Sequence, residues 1–125
     1  TPWQQRLSFL AHGVHHAQPQ LKTRLVMPPP LSIPLAVAFY ALFWLLFGPL
    51  LGLAHWAAPV FSGFVAGYLA YDMIHYATHH FPLRSRLPKA LKRHHMQHHY
   101  KTPGARFGVS SPLWDLLFGT LPIAK

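Results

Sequence analysis

Between Leu31 and Tyr71 the chain carries no Asp, Glu, Lys or Arg, and that gap limits what 125 residues can become. A helix needs about 20 predominantly apolar residues to cross a bilayer, so the gap has room for two passes and not three. The first pass is expected over roughly Ile33–Leu53, with Gly48-Pro49 as a kink or as its end. His55-Trp56-Ala57-Ala58-Pro59 supplies the turn, Trp56 being suited to a membrane interface. The second pass is expected over roughly Val60–Tyr76, where Gly63, Ala66 and Gly67 offer a small-residue face for packing on the first. The competing reading, a hairpin buried inside a soluble domain, fails on size, because so short a chain could hardly cover it. Composition agrees: 10% of the residues are charged, against about 25% in soluble domains. The expected fold class is therefore an all-α integral membrane protein. It has one domain over residues 1–125, a transmembrane helical hairpin over about 31–76 and a helical cap on the cytoplasmic side.

The side follows from charge. Two passes return the chain to the face it left, and all eleven Lys and Arg flank the gap. Arg6, Lys22 and Arg24 precede it, and eight follow from Arg84 onward, which makes that face cytoplasmic by the positive-inside rule. Only Asp72 and Asp115 are acidic. So basic a chain could suit nucleic acid, but the long apolar core argues against that partner. Cysteine is absent, which removes disulfides, thiolate ligands and a cysteine nucleophile. The chain opens Thr1-Pro2-Trp3, without a signal peptide or an initiator methionine. It is therefore expected to be a processed product or a piece of a longer protein.

Outside the gap the sequence is organised by histidine. Ten of the eleven histidines fall in three clusters: His12, His15 and His16; His75, His79 and His80; and His94, His95, His98 and His99. Trp3–Ala17 has apolar residues (Trp3, Leu7, Leu10, Ala11, Val14) near helical spacing, with His12, His15 and His16 able to share one face. Residues 20–30 read as a basic linker closing in the rigid, non-helical Pro28-Pro29-Pro30. His75 and His79 share a face at i and i+4, and His80 points about 100° away. Residues 83–92 read as a basic surface connection suited to anionic head groups. His95, His98 and His99 then repeat the i, i+3, i+4 spacing within Ala90–Tyr100. A Gly/Pro/Ser loop over residues 101–111 and a short apolar ending around Trp114-Asp115 close the chain.

Eight imidazoles at these spacings can converge on one volume. Charged, they would repel one another, so they must be mostly neutral, and neutral imidazole is a transition-metal ligand. A histidine tag or buffering tract would be contiguous and unspaced. Eight nitrogens exceed the need of one four- to six-coordinate ion, so two metals is the economical reading. Iron, zinc, copper and nickel all suit imidazole, and spacing does not choose among them. A redox metal at a bilayer surface, facing acyl chains, suits oxidation of an unactivated C–H bond. Asp72, three residues before His75, is placed either to accept a hydrogen bond from a ligand histidine or to mark the membrane boundary. Asp115 reads as a cap or turn residue, and His55 as structural.

At this point the sequence resembles the fatty acid hydroxylase superfamily, and within it the fatty acid (sphingolipid, ceramide) 2-hydroxylases. The resemblance rests on His12-Gly13-Val14-His15-His16 and Arg24-Leu25-Val26-Met27-Pro28-Pro29, then on Gly67-Tyr68 and Tyr71-Asp72 through His79-His80. It continues through His95-x-x-His98-His99-Tyr100-Lys101, Phe107-Gly108-Val109-Ser110 and Trp114-Asp115 to Phe118-Gly119-Thr120, so it covers nearly the whole chain. It implies a membrane-bound, histidine-ligated dimetal oxygenase that inserts one oxygen atom from O2 at C2 of a fatty acid or ceramide acyl chain. The implied metal is iron, with zinc a substitute in purified protein. The implied electron donor is external, cytochrome b5 or another redox partner. The implied membrane is the endoplasmic reticulum in a eukaryote or the inner membrane in a bacterium.

Carried over by position, the ligands are His12, His15, His16, His75, His79, His95, His98 and His99. Asp72 and His80 are then supporting residues, and His94 a bystander. Family members carry a further histidine pair on a preceding hairpin, and Gln20 stands where they tend to have aspartate. The resemblance thus implies that the chain begins just before the second histidine box. Two alternatives remain at this level. One is a sterol desaturase or carotenoid hydroxylase type of histidine-box enzyme, without the flanking segments. The other is a non-catalytic metal-binding fragment lacking the first box.

Overall fold

The uncharged gap folds into helices that leave many of their apolar side chains exposed. The computed structural model describes residues 1–25 and 27–122. Val26 of the Arg24–Pro29 segment, the flanking cation Lys125, and the side chains of Ala11 and Arg24 lie outside what it describes. All regular structure among the described residues is helical. The chain divides into two units, Met27–Ala70 and Thr1–Val26 with Tyr71–Lys125.

In the first of these units α3 runs from Pro29 to Leu45 and continues as a π turn over Leu46–Leu50. The triple proline is not a non-helical stop, because Pro29 and Pro30 form the first turn of α3, with Pro28 as N-cap. Proline fits there because the first N–H groups of a helix have no intrahelical acceptor and φ is already set near the helical value. At the other end Pro49 cannot donate, the ladder widens to i+5 spacing, and the helix stops at Leu51. Gly52 at φ +68° then reverses the chain. A single 3-10 turn over Ala54–Trp56 leads into α4, Ala57–His80.

Pro29–Leu50 and Ala54–His80 are both long and apolar enough to cross a membrane. Leu31, Ile33, Val37, Leu42, Trp44 and Leu45 are each more than half exposed. That surface suits lipid rather than water. The contact between the two helices is aromatic: Phe39 meets Phe64 at 4.9 Å between ring centroids, Tyr40 meets Phe61 at 5.2 Å, and Phe43 lies near both Phe61 and Phe64. The expected glycine face does not make it. A Cβ added at Gly63 or Gly67 would have nothing within 4 Å, so those positions do not bring two backbones together.

The second unit holds the three histidine clusters. It begins with α1, Pro2–Ser8, which passes through a π turn, Phe9–Gly13, into α2, Val14–Ala17. The Val14 N–H donates to the Phe9 carbonyl, one residue further back than in an α-helix. Gly13 admits this turn because the Phe9 ring lies where a Cβ would be, 2.6 Å from its position. The same unit contains the last turns of α4 from Tyr71 onward, and α5, Arg86–Tyr100. The basic connection and the third histidine cluster are thus one helix, with Ser85 as N-cap and Pro88 in the first turn. After α5 a loop leads to the short α6, Leu113–Leu117.

Candidate metal centre

Few side chains in the second unit are buried, and most of those are polar. His15, His75, His79, His95 and His98 are buried, with His95 only 1% exposed. Three helical segments deliver them at i, i+3 and i+4 spacings, so each segment presents one histidine face.

The faces meet. His15, His75, His79, His95 and His99 form one group and His12, His16 and His98 a second, each able to hold a metal ion through one ring nitrogen per residue. In the first group the Nε2 atoms of His79 and His95 are 2.8 Å apart, those of His95 and His99 3.0 Å, and those of His99 and His15 3.0 Å. In the second, His16 Nε2 is 2.7 Å from His12 Nε2 and 3.0 Å from His98 Nε2. The groups adjoin, with the His16 and His99 rings stacked at 4.3 Å.

Hydrogen bonding alone does not explain these contacts. A neutral imidazole has one N–H, yet His95, His99 and His16 each turn one Nε2 toward two other Nε2 atoms. The Nδ1 atoms of His15, His79, His95 and His99 and Nε2 of His75 are buried with no hydrogen-bond partner. Two nitrogens about 2.1 Å from one ion and at right angles around it lie about 3 Å apart, the spacing found here. The donor set therefore fits metal, since Nε2 lone pairs facing one another at this spacing would be satisfied together by one cation.

His98 shows that arrangement directly. Its Nδ1–H donates to the Ala105 carbonyl at 2.7 Å, which leaves Nε2 an acceptor facing His16. Proton affinity is lowered at several of these rings. Burial, followed by repulsion from His16 and His12, holds His15 at about 4; burial with His12 and His98 holds His16 at about 4. Burial and the neighbouring His16 and His15 push His99 down to about 2, and burial and His75 lower His95 as well. His15, His16, His95 and His99 are therefore held in the neutral form that can ligate a cation.

All eight histidines singled out by spacing are brought together, and His80, His94 and His55 belong to neither group. Asp72 is half-buried on α4, and the His80 ring lies tilted against Tyr76 with 4.5 Å between centroids. Gln20 reaches the Tyr100 hydroxyl at 3.4 Å through its side-chain amide.

Two residues depart from their sequence reading. Asp115 is no cap; it is 1% exposed, and its carboxylate accepts four hydrogen bonds. The Phe107 N–H (2.7 Å) and Thr120 hydroxyl (2.6 Å) donate to Oδ1, and the Gly108 N–H (2.8 Å) and His94 Nε2–H (2.8 Å) to Oδ2. Burial would raise this carboxyl, but the bonds from Thr120, His94, Gly108 and Phe107 outweigh it and hold it at about 2. His94 stays outside both histidine groups, and what its sequence reading did not anticipate is that it ties α5 to that carboxylate. Neither role has a periodic signal in the sequence. The one hint is that a lone acid in an apolar ending must be satisfied if it is buried.

Helices suited to a bilayer, with eight histidines drawn into two adjoining groups, define a histidine-box membrane protein. The chain belongs to the fatty acid hydroxylase family, whose model matches residues 2–120. It is 45% identical over 115 residues to a ceramide very long chain fatty acid hydroxylase of Saccharomyces cerevisiae, covering 90% of this chain and 28% of that protein. It is 38% identical over 123 residues to a dihydroceramide fatty acyl 2-hydroxylase of Arabidopsis thaliana, covering 98% and 50%. A human fatty acid 2-hydroxylase is 39% identical over 121 residues, covering 95% and 31%. The chain thus spans half or less of the length of these relatives. Among solved structures, full-length scs7p, in which only the hydroxylase domain is visible, superposes with a TM-score of 0.80 at 41% identity, covering 94% of this chain and 44% of that one.

Proposed function

We propose that this chain forms the metal-binding part of a membrane-bound dimetal oxygenase that hydroxylates C2 of a fatty acyl chain, presented as free fatty acid or ceramide. The observation that carries the reading is the convergence of eight imidazoles in groups of five and three. The relatives named as ceramide or fatty acid 2-hydroxylases supply the substrate class and the position of attack. In this reading His15, His75, His79, His95 and His99 hold one ion and His12, His16 and His98 the other. Two bound iron ions supply the one-electron and O2 chemistry that no side chain can, with electrons from an external donor such as cytochrome b5.

The residues of the chain do the rest. Burial lowers the proton affinity of His15, His16, His95 and His99, and the Ala105 carbonyl orients His98. Asp72 is assigned as acceptor of a hydrogen bond from a ligand histidine, with His80 as a flanking support. With neutral ligands the site retains the positive charge of its ions, which favours anionic oxygen donors. The protein is multi-pass, in the endoplasmic reticulum or a bacterial inner membrane, and the site faces the cytoplasm.

The test is lipid analysis of a host expressing the full-length protein. 2-Hydroxy acyl chains should rise, and His98→Ala should abolish the rise. Unchanged 2-hydroxy lipid with another lipid oxidised would refute the substrate assignment, and an active His98→Ala would refute the metal site.

A further inference from the structure

The Asp115 carboxylate holds the loop that orients His98, although it touches no ring of either histidine group. Its two oxygens accept the N–H groups of Phe107 and Gly108, which directly follow Ala105 and Arg106. The far end of the loop is closed by the Arg106 N–H on the Thr120 carbonyl at 3.0 Å and the Thr120 N–H on the Asp115 carbonyl at 2.8 Å. His94 fastens the carboxylate to α5, the helix that also carries His98. Arg106 faces His94 Nδ1 with its guanidinium at 3.5 Å, so His94 donates from Nε2 to the acid. Arg106 adopts φ +60°, a strained value for a residue with a side chain, which persists only where its surroundings over-determine it. The Ala105 carbonyl, aimed at His98 Nδ1–H, is the next atom group along this pinned backbone.

We propose that Asp115 is a positioning residue: by pinning residues 105–108 against α5 it holds His98 in the Nδ1–H tautomer, with Nε2 turned to the three-histidine group. The proposal rests on the metal reading above for its consequence, but not for its geometry. An outer hydrogen-bond partner of this kind typically changes metal affinity by about 10–100-fold. Asp115→Asn tests it, because an amide nitrogen replaces one oxygen and meets two donors, whereas side-chain volume is kept. Thr120→Val is the milder second variant, removing one of the four bonds.

Two measurements on the full-length protein in nanodiscs separate the outcomes. The first is Co2+ titration followed by its visible absorption. Wild type should show two classes of site, and Asp115→Asn should weaken one of them by about 10–100-fold and leave the other unmoved. Unaltered affinity in both classes overturns the proposal. So does equal loss of both with loss of helix content, since Asp115 would then serve the fold as a whole. The second measurement needs no metal. 15N shifts of labelled histidine should show His98 as the Nδ1–H tautomer in metal-free wild type and as a mixture in Asp115→Asn. A wild type that binds no Co2+ but shows this tautomer change would refute the metal reading and sustain the positioning role. An identical tautomer in both proteins would overturn the role itself.

Discussion

Gly108→Ala should open the C-terminal loop, and its cost can be worked from the geometry. A Cβ built at Gly108 falls 2.1 Å from the Ser111 carbonyl oxygen and 2.7 Å from Asp115 Oδ2. Real contacts of this kind lie near about 3.4 Å, and the nearer obstacle is backbone, which cannot rotate away. The loop must therefore move by about 1 Å, which takes the Phe107 and Gly108 N–H groups off the carboxylate. Each hydrogen bond to a charged group contributes about 1.5–3 kcal/mol, so losing most of two costs about 3 kcal/mol. At 1.4 kcal/mol per tenfold, amide exchange at Phe107 should accelerate by about 100-fold, read by hydrogen–deuterium exchange in nanodiscs. Gly104→Ala is the control: it lies in the same loop with nothing within 4 Å of the added atom, and its φ is not positive. That variant should be neutral or gain a few tenths of a kcal/mol, about the effect of reduced unfolded-state entropy. Equal exchange rates at Phe107 in the two variants would refute the reasoning.

The histidine group gives a pH dependence with a definite sign. His15 and His16 sit at about 4 in the fold and rise to the ordinary 6.5 when the chain unfolds, so between those values the unfolded chain binds more protons. Stability of the metal-free protein should therefore be level above pH 6.5 and fall as pH drops from 6.5 toward 4. A denaturation midpoint that stays constant from pH 7 to 4.5 would contradict it. The hairpin is tested by Leu42→Arg, which places a cation well inside the apolar Pro29–Leu50 span on a side chain 56% exposed. In a bilayer the change costs about 3 kcal/mol of insertion free energy, and carbonate extraction should release a larger fraction of the variant. Equal retention of the two proteins would mean that this face of α3 does not meet lipid.

What could be read in the sequence, and what could not, divides along physical lines. Helical spacing placed His12, His15 and His16, and likewise His95, His98 and His99, on common faces, and the fold brings those faces together. Periodicity reports which residues share a face, and here the shared faces make up the candidate site. It does not report which faces meet. Gly63 and Gly67 carried the standard signal for close helix packing, yet Phe61 and Phe64 make the contact with α3. Pro29 and Pro30 looked like a stop because proline disfavours helix interiors, and they begin α3 because its first turn needs no donor. The Ala105 carbonyl that orients His98 is backbone, so no side-chain pattern could reveal it. Asp115 and His94 are joined by a loop closure, a matter of chain path and not of spacing.

The π turn at Phe9–Gly13 gives the first histidine segment an unusual kind of constraint. Its extra residue sets the angle at which His15 and His16 follow His12, since each residue added to or taken from a helix turns all that comes after by about 100°. The quantity that matters there is a count. Substitution at Phe9 or Leu10 alters packing, but a one-residue insertion or deletion there would swing the imidazoles that follow away from the helices they face. The segment is tolerant of spelling and intolerant of length, a property that belongs to none of its residues singly.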